Sequence, residues 1–348
     1  MRRAGAALLV AAVAMLVTAA GASARDRFAT DVFALIGKPG FPAMAYAAPN
    51  GRVYEGTYDN PSGDTVPSRV FEYSGDGMLL HSWTIQGQDL SKAHGVQVGT
   101  MGPGGRLYLL DKAPPRVIRL DRSTGAQKLY ARFPDGAVPN YSAWGPDGSL
   151  YVTDYEGGVI WRVPKGGGTP QRWLEAPALD GGPFGTTGIV LAADRRTLVI
   201  GQQSAAGLGA GNPSTGRLLT VPIGAGGKPG PVTQLWESRP FDGPDGFAIA
   251  RSGTIYVAAL LSNQLVVVNP DGTEKERFPP TPLTGANGSA VPFDSPSSVR
   301  FLGTRLMVAN QAYVTGDATH QAILDVEAGE PGLAEYIPPK PKPKRHHR

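Results

Sequence analysis

Short apolar stretches recur along the whole chain, each cut off by a glycine or proline turn. "SLYVTD" from Ser149 and "TIYVAAL" from Thr254 are apolar nearly throughout. That pattern marks strands buried on both faces. Between Ala137 and Gly167, Tyr151-Val152-Thr153 and Val159-Ile160-Trp161 read as paired strands. Gly157-Gly158 turns between them, and Pro146-Asp147-Gly148 forms another tight turn. Six segments repeat one order of polar loop, apolar strand, glycine turn and apolar strand. They start near Phe41, Ala93, Val138, Thr186, Gly243 and Ser295. In register, their loop positions hold Ala43, His94, Asn140, Thr187, Asp245 and Ser297, at intervals of 46 to 58 residues.

Each interval exceeds one hairpin and suits a four-stranded sheet. Outer strands follow in "PRVIRLDRSTGAQKLYARF", "GVIWRVPKGGGTPQRWLEA" and "NQLVVVNPDGTEKERF". One such sheet cannot cover both of its faces, whereas a closed ring of sheets packs face to face. The prediction is an all-β chain, a six-bladed β-propeller of four-stranded antiparallel blades. The stretch from Asp31 to Ile36 is expected to complete the last blade as an added strand. "SAAGLGAGNPSTG" (Ser204 to Gly216) interrupts the hairpin of the fourth unit, either as a rim over a binding face or as slack.

Composition agrees with this reading. With 47 Gly and 32 Pro in 348 residues, the chain is built for turns rather than long helices. There is no Cys, which excludes disulfides. Both ends separate from the body. Arg2 and Arg3, the uncharged run Ala6 to Ala20 and the Ala22-Ser23-Ala24 cleavage pattern read as a secretory signal peptide over residues 1–24. The propeller is then expected over 25–337, in a protein secreted or held in the cell envelope. "PPKPKPKRHHR" (338–348) reads as a disordered basic tail. Without the tail's five Lys and Arg residues, and without Arg2 and Arg3, the formal +4 becomes −3. A nucleic-acid partner is therefore not expected, and a weak contact with anionic cell-surface material would fall to the tail alone.

Loops entering the innermost strands of a propeller surround its central channel. Six residues at one register would form a ring there, in which carbonyl and carboxylate oxygens could hold a hard cation, Ca²⁺ first. Asp245 is the only carboxylate among the six. His94 is a candidate general base or ligand for a softer metal, against the alternative of a neutral His capping loop backbone. Asn140 and Asp245 have alternatives as ordinary turn residues. Glu55 lies on a following strand and reads as facing a hairpin. No glycine-rich phosphate loop is present, and Ser204 lacks the context of a nucleophile elbow.

The strings "PNYSAWGPDGSLYVTD", "TTGIVLAADRRTLVI" and "GPDGFAIARSGTIYVAAL", in that order, resemble the senescence marker protein/gluconolactonase family. That family includes regucalcin and bacterial lactonases, and the resemblance runs from about Phe41 to Tyr336. It implies a divalent metal held by a blade-one Glu, a blade-four Asn and a blade-five Asp, with a blade-three Asn assisting metal or substrate. Asn140 matches the blade-three Asn, and Asp245 matches the blade-five Asp. Ala43 stands where the Glu belongs, and Thr187 where the blade-four Asn belongs. The implied metal set is thus Asp245, Asn140 and Thr187. With His94 added as the candidate base from the ring itself, the candidate catalytic set is Asp245, Asn140 and His94, with Asn140, His94 and Thr187 as candidates to touch substrate. Three functions are expected of this pattern. The first is hydrolysis of a lactone or ester at the channel mouth by a monomer. The second is non-catalytic binding of a sugar-like or surface ligand by an NHL-repeat-like propeller. The third is a lyase using His94 as base.

Overall fold

The computed structural model describes residues 25–39, 41–58, 65–205 and 215–340. The proposed signal peptide and most of the basic tail lie outside them. Every strand falls into one of six four-stranded antiparallel sheets. Among the described residues there is no α-helix, only three 3₁₀ turns. The innermost strands are Phe41–Ala47, Val96–Met101, Pro139–Trp144, Thr186–Leu191, Pro244–Ile249 and Pro296–Leu302 for blades one to six. Proline opens three of these strands, where the missing N–H is cheapest. Blade three continues outward through Leu150–Asp154, Val159–Val163 and Gln171–Glu175, which places the two strands and the Gly157-Gly158 turn as expected.

The ring closes through the N-terminal strand. Thr30–Leu35 pairs antiparallel with Ala322–Glu327 and becomes the outer strand of blade six. Arg25 ties this start to Asp325 at 2.9 Å, and Arg27 pairs with Glu276 of blade five. The apolar core is divided in the same way. Six clusters of buried side chains form, one at each junction between neighbouring blades. Val299, Leu306 and Leu324 of blade six meet Tyr256 and Leu265 of blade five, for example. Ala45, Val53 and Phe71 of blade one meet Met307 and Ile323 of blade six. Each blade therefore needs both neighbours to cover its two faces.

Beyond blade six the chain does not leave the body. Residues 329–337 cross the end of the channel opposite the loops that enter the inner strands. The backbone N–H of Arg251 donates to Pro331 O at 2.9 Å, and that of Leu333 donates to Ile249 O at 2.8 Å. Thr100 donates to Glu335 Oε1 at 2.7 Å, and the Tyr46 hydroxyl bonds Oε2. Ile337 packs on the core between blades one and two. Pro338 is itself buried, so the packed chain runs one residue past the expected boundary.

Candidate functional site at the channel mouth

Every innermost strand carries a bulge or irregularity in its pairing with the next strand. A bulge leaves a residue out of the ladder and turns it toward the axis. Taking the residue after the pairs that open each inner ladder gives the ring Ala43, Gln97, Asn140, Thr187, Asp245 and Ser297. Five of these fall in the bulge, whereas Gln97 is still paired with Leu110 and the irregularity of blade two follows at Gly99. Five of the six expected positions coincide. The exception is blade two, where Gln97 occupies the position and His94 lies upstream of the strand. Both ring nitrogens of His94 face backbone carbonyls, Lys92 O at 3.0 Å and Val66 O at 2.8 Å. Counting back from the turn at Gly102-Pro103, as from Gly145-Pro146 in blade three, lands on Gln97. The opening of the repeat is a poorer anchor than its turn.

The ring is a belt of bonds between blades. Gln97 Nε2 donates to Asn140 Oδ1 at 3.0 Å, joining blades two and three. Asn140 Nδ2 donates to Thr186 O at 3.3 Å, joining three and four. Thr187 Oγ1 donates to Asp245 O at 3.0 Å, joining four and five. Ser297 Oγ donates to Ala43 O at 3.2 Å, joining six and one. Asn140 is thus a staple between neighbouring blades rather than a turn residue. The belt also makes five of its members inaccessible: Gln97 is 5 % exposed, Asn140 7 %, and Ala43, Thr187 and Ser297 no more than 1 %. Asp245 alone keeps partial exposure.

Below Asp245 the channel is spanned by Tyr141. Its hydroxyl donates to Ser297 O at 2.8 Å and lies 3.4 Å from Asp245 Oδ1. Gly246 makes room for it, since a Cβ there would stand 2.5 Å from the Tyr141 oxygen. Pro244-Asp245-Gly246 is therefore not a turn; it begins the inner strand of blade five. Burial pushes the Asp245 carboxyl up to about 8, and the Tyr141 hydroxyl opposes that shift. Above the ring stand aromatic side chains: Phe41 against Tyr58 and Tyr313, and Tyr155 against Phe184. Burial, and after it the Asp245 charge, raises the Tyr155 hydroxyl well above the usual range.

Glu55 was not expected here. Its carboxylate turns inward to the bulge of blade one, where Oε1 accepts the N–H groups of Ala43 at 2.8 Å and Met44 at 3.0 Å. Oε2 is buried with no partner among the described residues. Burial raises the group to about 8. A lone acid in the second strand of "VYEGTY", otherwise apolar or neutral, was the available signal.

These donors do not make a calcium cradle. The Asn140 oxygen is taken by Gln97, and the Thr187 hydroxyl is spent on a backbone carbonyl. The ring's one carboxyl sits in surroundings that favour its neutral form. Among the described residues no three His, Cys, Asp or Glu side chains cluster in a way that could hold a metal ion.

The fold is one found in solved propeller enzymes. The chain aligns with regucalcin from Agrobacterium tumefaciens, described as a calcium-binding protein, at 16 % identity and a TM-score of 0.61, covering 90 % of this chain and 99 % of that one. A gluconolactonase from Xanthomonas campestris aligns at 16 % identity and 0.57, covering 86 % and 88 %. Virginiamycin B lyase from Staphylococcus aureus aligns at 16 % and 0.55, covering 84 % and 97 %. At this identity the likeness is one of fold alone, a six-bladed β-propeller of four-stranded blades. No protein-family model matches the sequence, and no curated protein matches it.

Proposed function

We propose that the protein handles a small neutral ester or lactone at the mouth above Asp245, and hydrolyses it by acid–base chemistry centred on that carboxyl. The carrying observation is that Asp245 alone among the ring residues is open to the mouth, with its carboxyl raised to about 8. A carboxylate of that basicity is matched to removing a proton from water near neutral pH. Water attacks the acyl carbon as Asp245 takes its proton. The tetrahedral intermediate then expels the alkoxide, which takes the proton back from Asp245. The aromatic side chains above supply apolar faces for a sugar-like ring. The neighbouring gluconolactonase supports this substrate class, and the committed ring donors support a mechanism built on protein groups. Secretion after cleavage at Ala24, and a monomer in solution, belong to the same proposal.

A second reading has an observation of its own. The inter-blade belt occupies most polar ring groups and gives the ring a structural role without chemistry. In that case the mouth binds its ligand and releases it unchanged. A lactone and ester screen on the purified chain, with and without chelator, separates the two. Hydrolysis that survives chelation and is lost in Asp245→Asn, with the fold intact by circular dichroism, supports the hydrolase. Ligand binding without turnover supports the binding propeller. Activity abolished by chelator and restored by Ca²⁺ overturns the metal-free mechanism.

A further inference from the structure

The end of the channel opposite Asp245 holds a cavity of about 460 Å³, within the usual range for small-molecule sites. Its walls are largely apolar, including Trp144, Leu191, Ile249, Phe301 and Leu333. Leu333 belongs to the C-terminal segment that crosses this end, so the cavity lies between the blades and a strap of the same chain. Tyr141, fully buried and bonded across to Ser297 O, separates it from the mouth.

Two polar groups on its wall are incompletely satisfied. Ser142 Oγ is buried and has no hydrogen-bond partner among the described residues. Arg300 places its guanidinium 5.8 Å from the centre of the Tyr141 ring and spends Nη1 on Phe247 O at 2.8 Å and Val299 O at 3.4 Å. Its Nε and Nη2 have no acceptor, and it makes no ion pair, among the described residues. The wall's Glu335 is near enough to interact with Arg300 through charge, but among the described residues it forms no ion pair with it. Its oxygens bond Thr100 and Tyr46, and burial raises its carboxyl, which favours the neutral form. A guanidinium with free N–H groups at the end of an apolar chamber matches a carboxylate in shape and charge.

We propose that this chamber is a second ligand site, for an amphipathic monocarboxylate. The carboxylate meets the free N–H groups of Arg300, Ser142 supplies a further hydroxyl, and the apolar body lies between Leu191, Ile249 and the strap. The site is independent of the hydrolase reading, being on the other side of Tyr141.

Decanoate and 1-decanol, titrated calorimetrically into the full chain lacking only residues 1–24, test it. Decanoate is expected to bind one to one, to change the tryptophan fluorescence through Trp144, and to bind more tightly than decanol. Arg300→Gln should weaken decanoate about tenfold or more while leaving decanol unchanged, the effect of losing a charge-assisted contact. Ala143→Phe, which fills the chamber from its wall, should remove both ligands. If Arg300→Gln does not fold, Arg300→Lys gives the same reading through loss of the planar fork. No binding of decanoate to the wild type overturns the proposal. So does decanoate binding that is unchanged in Arg300→Gln or in Ala143→Phe, or no preference for decanoate over decanol.

Discussion

The Tyr141 hydroxyl donates to the Ser297 carbonyl at 2.8 Å, joining blade three to blade six across the axis of the propeller. These blades face each other, so the bond is a strut through the centre, and the channel is two chambers rather than one tunnel. Phe in place of Tyr141 keeps the packing and leaves a buried carbonyl short of its donor. Tyr141→Phe is expected to cost about 1–3 kcal/mol, read as a lower urea midpoint with an unchanged slope. It also removes the hydroxyl that holds down the Asp245 carboxyl.

That second effect sets a pH prediction. With Asp245 acting as base, the rate should rise with pH and level off above about 8, where the carboxyl is ionised. Tyr141→Phe should move the whole profile to higher pH. A profile that falls as pH rises through the same range would assign Asp245 the opposite, acidic role.

Glu55 makes stability depend on pH. Its carboxyl is raised from 4.5 to about 8 in the folded chain, so the folded state binds the proton more tightly than the unfolded state. The stabilisation is complete below the unfolded value and is lost as pH rises toward about 8. Glu55→Gln keeps an oxygen for the N–H groups of Ala43 and Met44 and cannot ionise. Its unfolding midpoint should decline less steeply over this window than the wild type's, since Asp245, Asp111, Asp154 and Glu335, whose carboxyls are also raised by burial, contribute in parallel to both. Urea titrations at several pH values check the difference in slope.

How much of this was legible in the sequence can be argued from one tripeptide. Pro-Asp-Gly occurs at 146–148 and again at 244–246. In the first, Gly148 has φ +81° and closes a hairpin, as the turn chemistry predicts. In the second, Gly246 is an ordinary strand residue whose missing side chain accommodates Tyr141 from two blades away. Local chemistry cannot distinguish them, because the cause of Gly246 lies 105 residues upstream. Blade count, closure by the N-terminal strand and five ring positions follow from periodicity, which is local. The partners of Asn140, the inward turn of Glu55 and the strap over the far chamber depend on which blades become neighbours. His94 was placed by the opening of its repeat, whereas the bulge of blade two falls later, at Gly99.

The strap gives the last prediction. The expectation that nothing from Pro338 onward packs is too generous by one residue, since Pro338 is buried. Deleting residues 339–348 should leave the melting temperature unchanged. Deleting residues 331–348 removes the main-chain bonds to Arg251 and Ile249 and the Glu335 bonds to Thr100 and Tyr46. It also uncovers apolar surface beside Ile249 and Phe301. A loss of several degrees is expected, because each uncovered apolar side chain and each orphaned buried hydroxyl costs on the order of 1 kcal/mol or more. Equal melting temperatures for the two truncations would show that the strap lies on the blades without holding them. A loss already present in the shorter deletion would place stabilising contacts in the basic residues beyond Pro338.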